Sequence, residues 1–373
     1  MEATVQHRNI RNFYFVVIAL LLIFSATLSQ AQTEEAESYR VVGYYTSYSI
    51  YETELTEPYL VTDIPTDNLT HLIYAHIDIS NTGQCVSLDD WADTRFPYPD
   101  DDDFQTLRDN FNQLQILKEE NPDLTIMMSI GGWEQSNNFY DAAADVPSRQ
   151  RLATSCVAFM RRYGFDGIDI DWRYPVSGGQ IDGSEEDYEN LPFLLEDFRI
   201  QLDQAGLRDD ERYELSLAVP VVPDVYENFN FAEITLFVDF INLMGFGFAG
   251  SWSDTAGHIA PLFPSNRNLA GSVEDRERYT VNGAIEDFLD QGMLAEQIVL
   301  GVPFFGQAWR DVDGDELFGL YAENGGIPQG ARDGGVLWFE DINIQRDSGN
   351  YVRFFDPNSL VPWLYDESRR IAI

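Results

Sequence analysis

Phe165-Asp-Gly-Ile-Asp-Ile-Asp-Trp-Arg-Tyr-Pro175 is the stretch on which the reading of this chain turns. Asp169, Asp171 and Arg173 alternate with Ile170 and Trp172, and a strand's two-residue period sends all three polar side chains to one face. The apolar lead-in and the aromatic, proline-terminated exit describe a buried parallel strand running into a site. The competing reading is an edge strand with a wet face, on which Arg173 simply pairs with a neighbouring aspartate.

Working outward, apolar runs rich in β-formers alternate with stretches of helical periodicity, the rhythm of a parallel α/β fold. Strands are expected at 40–45, 71–77, 124–130, 165–172, 214–219, 238–244 and 298–304, and helices at 104–119, 148–163, 188–205 and 281–291. No glycine-rich phosphate turn follows any strand, so a (β/α)8 TIM-type barrel fits better than a doubly wound sheet. Chemistry in such a barrel gathers at the C-terminal ends of the strands, where polar and aromatic residues cluster here. The pattern fails over 307–373, which lacks helical periodicity.

Composition bounds the rest. The formal net charge is -40, with one lysine, Lys118, against 63 acidic residues, yet 44% hydrophobic and 14% aromatic content predicts a packed core rather than disorder. So acidic a surface repels itself unless salt screens it, which predicts a salt-adapted organism or medium. It also disfavours nucleic acid and anionic membranes as partners. Arg8 and Arg11 precede the apolar run from Phe13 to Phe24, and Ser29-Gln30-Ala31 offers a cleavage site, so residues 1–31 read as a secretory signal. Export, to the extracellular space or a periplasm, follows. Cys85 and Cys156 could then pair, although sequence alone does not bring them together. The acidic run Asp100 to Asp103 lacks calcium-loop spacing and reads as a solvated loop. No Cys/His cluster suggests a metal, and no cofactor is implied.

The opening segment resembles the signature of glycoside hydrolase family 18, the chitinases and chitinase-like lectins, in which Asp-x-x-Asp-x-Asp-x-Glu ends the fourth barrel strand. Asp166, Asp169 and Asp171 match its first three acids, and Arg173 stands at the glutamate's place. Further stretches are similar to that family's other strands: Val42-Gly-Tyr-Tyr45, Leu69-Thr-His-Leu-Ile-Tyr-Ala75, Ser129-Ile-Gly-Gly-Trp133, the run from Phe240 to Trp252, and Leu300-Gly-Val-Pro-Phe-Phe-Gly306. The resemblance implies a barrel over 32–306 with a small α+β insertion over 307–373, after strand seven. It also implies that the chain stops before strand eight, unless Gly335-Val-Leu-Trp-Phe339 is that strand.

In that family the glutamate protonates the leaving oxygen while the substrate's N-acetyl group attacks, a departure from the two-carboxylate scheme. Guanidinium, with a pKa above about 12, cannot supply that proton. The resemblance further implies that Ser129 and Asp166 support Asp169, that Asp169 shares a proton with Asp171, and that Asp171 orients the N-acetyl group. Arg173 would instead favour both anions, making a satisfied ionic network. The family's Met-x-Tyr-Asp becomes Met244-Gly-Phe-Gly247, which keeps the ring at Phe246 and loses a hydroxyl and a carboxylate. His76 and Gln307 also depart from the family pattern, and His76 reads as a histidine bonded to a neighbour. Tyr44, Trp133 and Trp252 match aromatic sugar contacts, and stacking on pyranose faces needs no catalytic proton. Trp172, Trp309 and Trp338 could serve core or ligand.

The expectation is a secreted protein that binds chitin or other N-acetylglucosamine glycans, with hydrolysis lost. The alternatives are an active chitinase or endo-β-N-acetylglucosaminidase whose acid is Glu134, Asp171 or His76, and a non-functional truncated product.

Overall fold

The computed structural model describes residues 39–51, 57–98, 109–269, 271–314, 316–329 and 333–373. The expected signal segment and the run Asp100 to Asp103 lie outside these. Residues Val41–Ile373 form one compact unit.

Its centre is a curled sheet of parallel strands: β1 (Val42–Thr46), β2 (His71–Ile79), β4 (Thr125–Gly131), β5 (Gly167–Asp171), β6 (Glu214–Pro220), β7 (Phe240–Met244) and β8 (Ile298–Gly301), joined in that order, with β3 (Cys85–Ser87) antiparallel on the outside of β2's C-terminal half. All seven expected parallel strands are present. The curl is visible in contacts that bypass the sheet order. His71 on β2 meets Phe240 on β7 with ring centroids 5.4 Å apart, and its Nε2 lies 2.9 Å from Glu214 Oε2 on β6. In a flat sheet strands several places apart would be separated by multiples of about 4.8 Å. Ile73, Met127 and Phe240 fill the inside of the curl, with Val42 and Val299 packed against them. Half of a TIM-type barrel's logic is thereby realised, in which alternate residues point inward as layers.

Helices cover the outer face. Val146–Tyr163 begins at Asp145, whose carboxylate accepts the Ser148 N–H, and ends at Gly164, where a φ of 76° suits a residue without a Cβ. Asp187–Asp209 packs beside it, burying Leu191, Leu194, Leu195, Phe198 and Leu202. The helix expected over 104–119 is seen as Asn110–Glu120, and the start of the expected range lies outside the described residues. Cys85 and Cys156 are joined in a disulfide, which ties β3 to the helix Val146–Tyr163.

Two expectations for the C-terminal third are corrected. The strand expected over 298–304 leaves the parallel sheet at Gly301. Pro303, with no N–H, interrupts the ladder, and β9 (Phe305–Gln307) belongs to another sheet. Val336–Trp338 (β10) is not an eighth parallel strand, because it pairs antiparallel with β9. Residues 307–373 also contain a helix, Phe339–Asp347, which buries none of its side chains and so shows no apolar period in sequence. The strands β11 (Val352–Asp356), β12 (Val361–Asp366) and β13 (Ile371–Ala372) make a third, antiparallel sheet. Its Tyr365 and Ala372 join Trp309, Val312 and Ala256 in a separate small core.

Candidate active site

Register builds the site before any side chain is considered. Ser129 on β4 stands opposite Asp169 on β5, which stands opposite Ser216 on β6. In-register parallel strands point such residues to one side. Asp169, fully buried, therefore receives Ser129 Oγ at 2.7 Å and Ser216 Oγ at 2.6 Å. Asn242 Nδ2 donates to it at 3.1 Å from β7, and the Tyr44 hydroxyl donates at 3.1 Å from β1. The polar partners thus come from across the curl. Burial is the largest influence on the Asp169 carboxyl and pushes its pKa up; the hydroxyl donors offset this only in part, and the negative charge of Asp171 adds to the rise.

Asp171, two residues on, has the opposite balance. Burial would raise its carboxyl, but the Arg173 guanidinium and His76 outweigh it and hold the group well below the usual carboxylate range. Arg173 makes a two-point contact, Nε to Oδ1 at 2.7 Å and Nη2 to Oδ2 at 2.8 Å. The expectation that Arg173 favours both anions is therefore corrected: its fork reaches Asp171 alone, and Asp169 is left to its buried environment.

His76 Nε2 lies 3.2 Å from Asp171 Oδ2. The register between β2 and β4 slips between Ala75 and Ile77, and this irregularity takes His76 out of the ladder and turns it toward the carboxylate. Backbone crowding fixes the other side. A Cβ on Gly131, where φ is 105°, would lie 2.4 Å from the Asp171 carbonyl oxygen, and one on Gly132, at 91°, would lie 2.9 Å from the His76 ring. Glycine is required at both. Ser136 Oγ accepts the Arg173 N–H at 2.7 Å and sits 2.8 Å from the Gly132 carbonyl, joining the ends of β4 and β5.

Asp166 is a correction. It lies at the other end of β5, pairs with Lys118 and accepts the Ile126 N–H at 2.9 Å, so it does not support Asp169. Asp169 follows Asp166 by three positions, an odd offset that puts them on opposite faces of an extended chain.

Of the aromatics, Tyr44 exposes 46% of its surface while its hydroxyl turns inward, and Trp133 exposes 44% beside Tyr174, with ring centroids 6.4 Å apart. Trp252 is 72% exposed on the turn after β7, its ring over Gly250. Met244 ends β7, and Phe246 packs edge-on against Phe305 at 5.3 Å. Gln307 is buried and donates to the Gly334 carbonyl at 2.7 Å. Trp172 is a core residue stacked on Phe139, Trp309 is buried and donates to the Gly250 carbonyl, and Trp338 is half-exposed. Ser216, Asn242 and Ser136 went unnoticed in the sequence. The first two could have been found: Asn242 is the lone polar residue of the apolar strand β7, and Ser216 lies two residues from Glu214 on the same face of β6. Among the described residues no group of His, Cys, Asp and Glu could hold a metal ion.

The family model described as glycosyl hydrolases family 18 matches residues 40–373. The chain is 35% identical to Chitinase A1 of Niallia circulans over 96% of its own length and 56% of that protein's. Among solved structures it is similar to chitinase ChiA74 from Bacillus thuringiensis, with a TM-score of 0.80 and 30% identity, covering 90% of this chain and 61% of that one. The Group IV chitinase of Ostrinia furnacalis in complex with allosamidin gives a TM-score of 0.76 at 28% identity, over 90% of this chain and 84% of that one. The chain thus spans little more than half the length of Chitinase A1.

Proposed function

The chain belongs to glycosyl hydrolase family 18, and we propose that it binds chitin or related N-acetylglucosamine glycans without hydrolysing them. The observation that carries this reading is the two-point contact of Arg173 on Asp171 at the end of β5. An acid at this position would have to give up a proton to a leaving oxygen, and a guanidinium whose pKa Asp171 holds above its already high value does not. Asp171 is no substitute, because it is held ionised, and Asp169 has its oxygens committed to Ser129, Ser216, Asn242 and Tyr44. Phe246 and Gly247 remove two further groups that the resemblance associates with turnover, whereas the exposed faces of Tyr44, Trp133 and Trp252 remain for stacking.

The same reading has the protein work outside the cytosol, which the Cys85–Cys156 disulfide supports, since such bonds persist in oxidising compartments. Among the described residues no helix is long and apolar enough to cross a membrane. A net charge of -40 suits a saline medium and a neutral polymer.

The test is a binding titration with chitin oligosaccharides at high salt, with mass spectrometry of the same mixtures. Saturable binding with no shortened products is expected. Turnover that disappears on changing His76 or Glu134 would establish the active-enzyme alternative instead. Arg173→Glu alone should restore little hydrolysis, and a large recovery would show that the loss at this one position is the whole story.

A further inference from the structure

Asp171 uses only part of the Arg173 guanidinium. Nε and Nη2 are engaged in the two-point contact, while Nη1 makes no hydrogen bond among the described residues and is not one of the buried polar atoms left without a partner. The side chain is 27% exposed, so these N–H groups meet solvent. The fork cannot swing, because its other edge is pinned to a carboxylate that is itself fixed on a buried strand. The half-exposed Tyr44 and the adjacent Tyr174 lie within the guanidinium's electrostatic range, and Tyr174 in turn stands against the half-exposed ring of Trp133, with centroids 6.4 Å apart. Aromatic faces plus a preorganised donor pair are the elements of a sugar-binding surface: area from the rings, orientation from the donors.

We infer that Arg173 is itself a ligand-binding residue, whose free Nη1 edge donates to an oxygen of a neutral glycan seated against Tyr44 and Trp133. The inference rests on the glycan-binding reading above and adds to it the residue that sets the ligand's charge class. Neutrality follows from the surroundings. The arginine's charge is already balanced by Asp171, and the chain as a whole carries -40, so an anionic sugar gains little from Arg173 and is repelled by the rest. A carbonyl or hydroxyl oxygen needs only the donors.

The experiment compares wild type, Asp171→Asn, and the double variant Asp171→Asn with Arg173→Met, each titrated with a neutral N-acetylglucosamine hexamer and with a hexamer alternating N-acetylglucosamine and glucuronate. The asparagine background removes the buried anion that Arg173→Met alone would strand, and thermal unfolding of each variant verifies folding. The double variant should bind the neutral hexamer about tenfold more weakly than Asp171→Asn, the loss of one charge-assisted hydrogen bond. Wild type should prefer the neutral hexamer to the glucuronate one. Equal affinity of the two folded variants, or a preference for the glucuronate hexamer, would overturn the inference while leaving the binding function intact. No binding of either hexamer by wild type would overturn the binding function itself, and with it the inference. If the double variant does not fold, Arg173→Lys takes its place; unchanged affinity there would count against a fixed fork, since lysine supplies charge without that geometry.

Discussion

The two ends of β5 carry the same kind of pair in different surroundings. At the N-terminal end Asp166 meets Lys118, with side chains 22% and 38% exposed. At the C-terminal end Asp171 meets Arg173, with side chains 1% and 27% exposed. Water screens the first pair, so its members can part at little cost. The second is held in a region where a lone carboxylate has no solvent to fall back on, so each partner depends on the other. One strand thus shows why an ion pair's importance is set by its burial and not by its separation.

Removing the cations one at a time should break the comparison most sharply. Arg173→Met strands Asp171 and is expected to cost about 3–5 kcal/mol in denaturant unfolding. Lys118→Met, at the other end, should cost no more than about 1 kcal/mol, and equal losses would refute the contrast.

Next in size is the pH dependence. Asp171, with its pKa depressed on folding, binds fewer protons folded than unfolded. Its contribution is complete above the unfolded value of about 4 and lost as pH falls toward the folded one. Asp169, with its pKa raised, contributes in the opposite sense: its share is present below about 4 and lost as pH rises through the folded value. Melting temperatures from about pH 2 to 7 should therefore show Asp171→Asn flattening the acid limb and Asp169→Asn relieving the loss on the rising side. Smaller again, Ser129→Ala and Ser216→Ala each remove one buried donor from Asp169 and should cost about 1–3 kcal/mol. A cost near zero would mean that Asp169 is already protonated and indifferent to them.

Much of this was legible in the chain. The parallel strands announced themselves as apolar runs, because β2, β4, β5, β6 and β7 are buried on both faces while β1 and β8 are only partly covered, and Asp169, Asp171 and Arg173 were found by the interruption they make in one. Position along the strand was harder to read. Asp166 looked like a neighbour of Asp169 because a motif groups them, yet the strand's own alternation sets them apart. Ser216 and Asn242 were hidden because strand order and register, which the sequence does not print, decide their place: Ser216 lies opposite Asp169 on the adjacent strand β6, and Asn242 reaches it from β7, one strand further on. The third described sheet owes its place to local pairing and a small satellite core, and the helix Phe339–Asp347 buries no side chain, so both leave a weak periodic trace.

The disulfide has a topological consequence. Cys85 and Cys156 lie 71 residues apart, and the loop they close contains all of β4, with Ser129, and Trp133. A protease that cuts once anywhere within this ring opens it without releasing a fragment, so the nicked protein keeps its mass and its stacking residue. Only reduction after the cut would let the two pieces separate, and a gel run with and without thiol would show the difference.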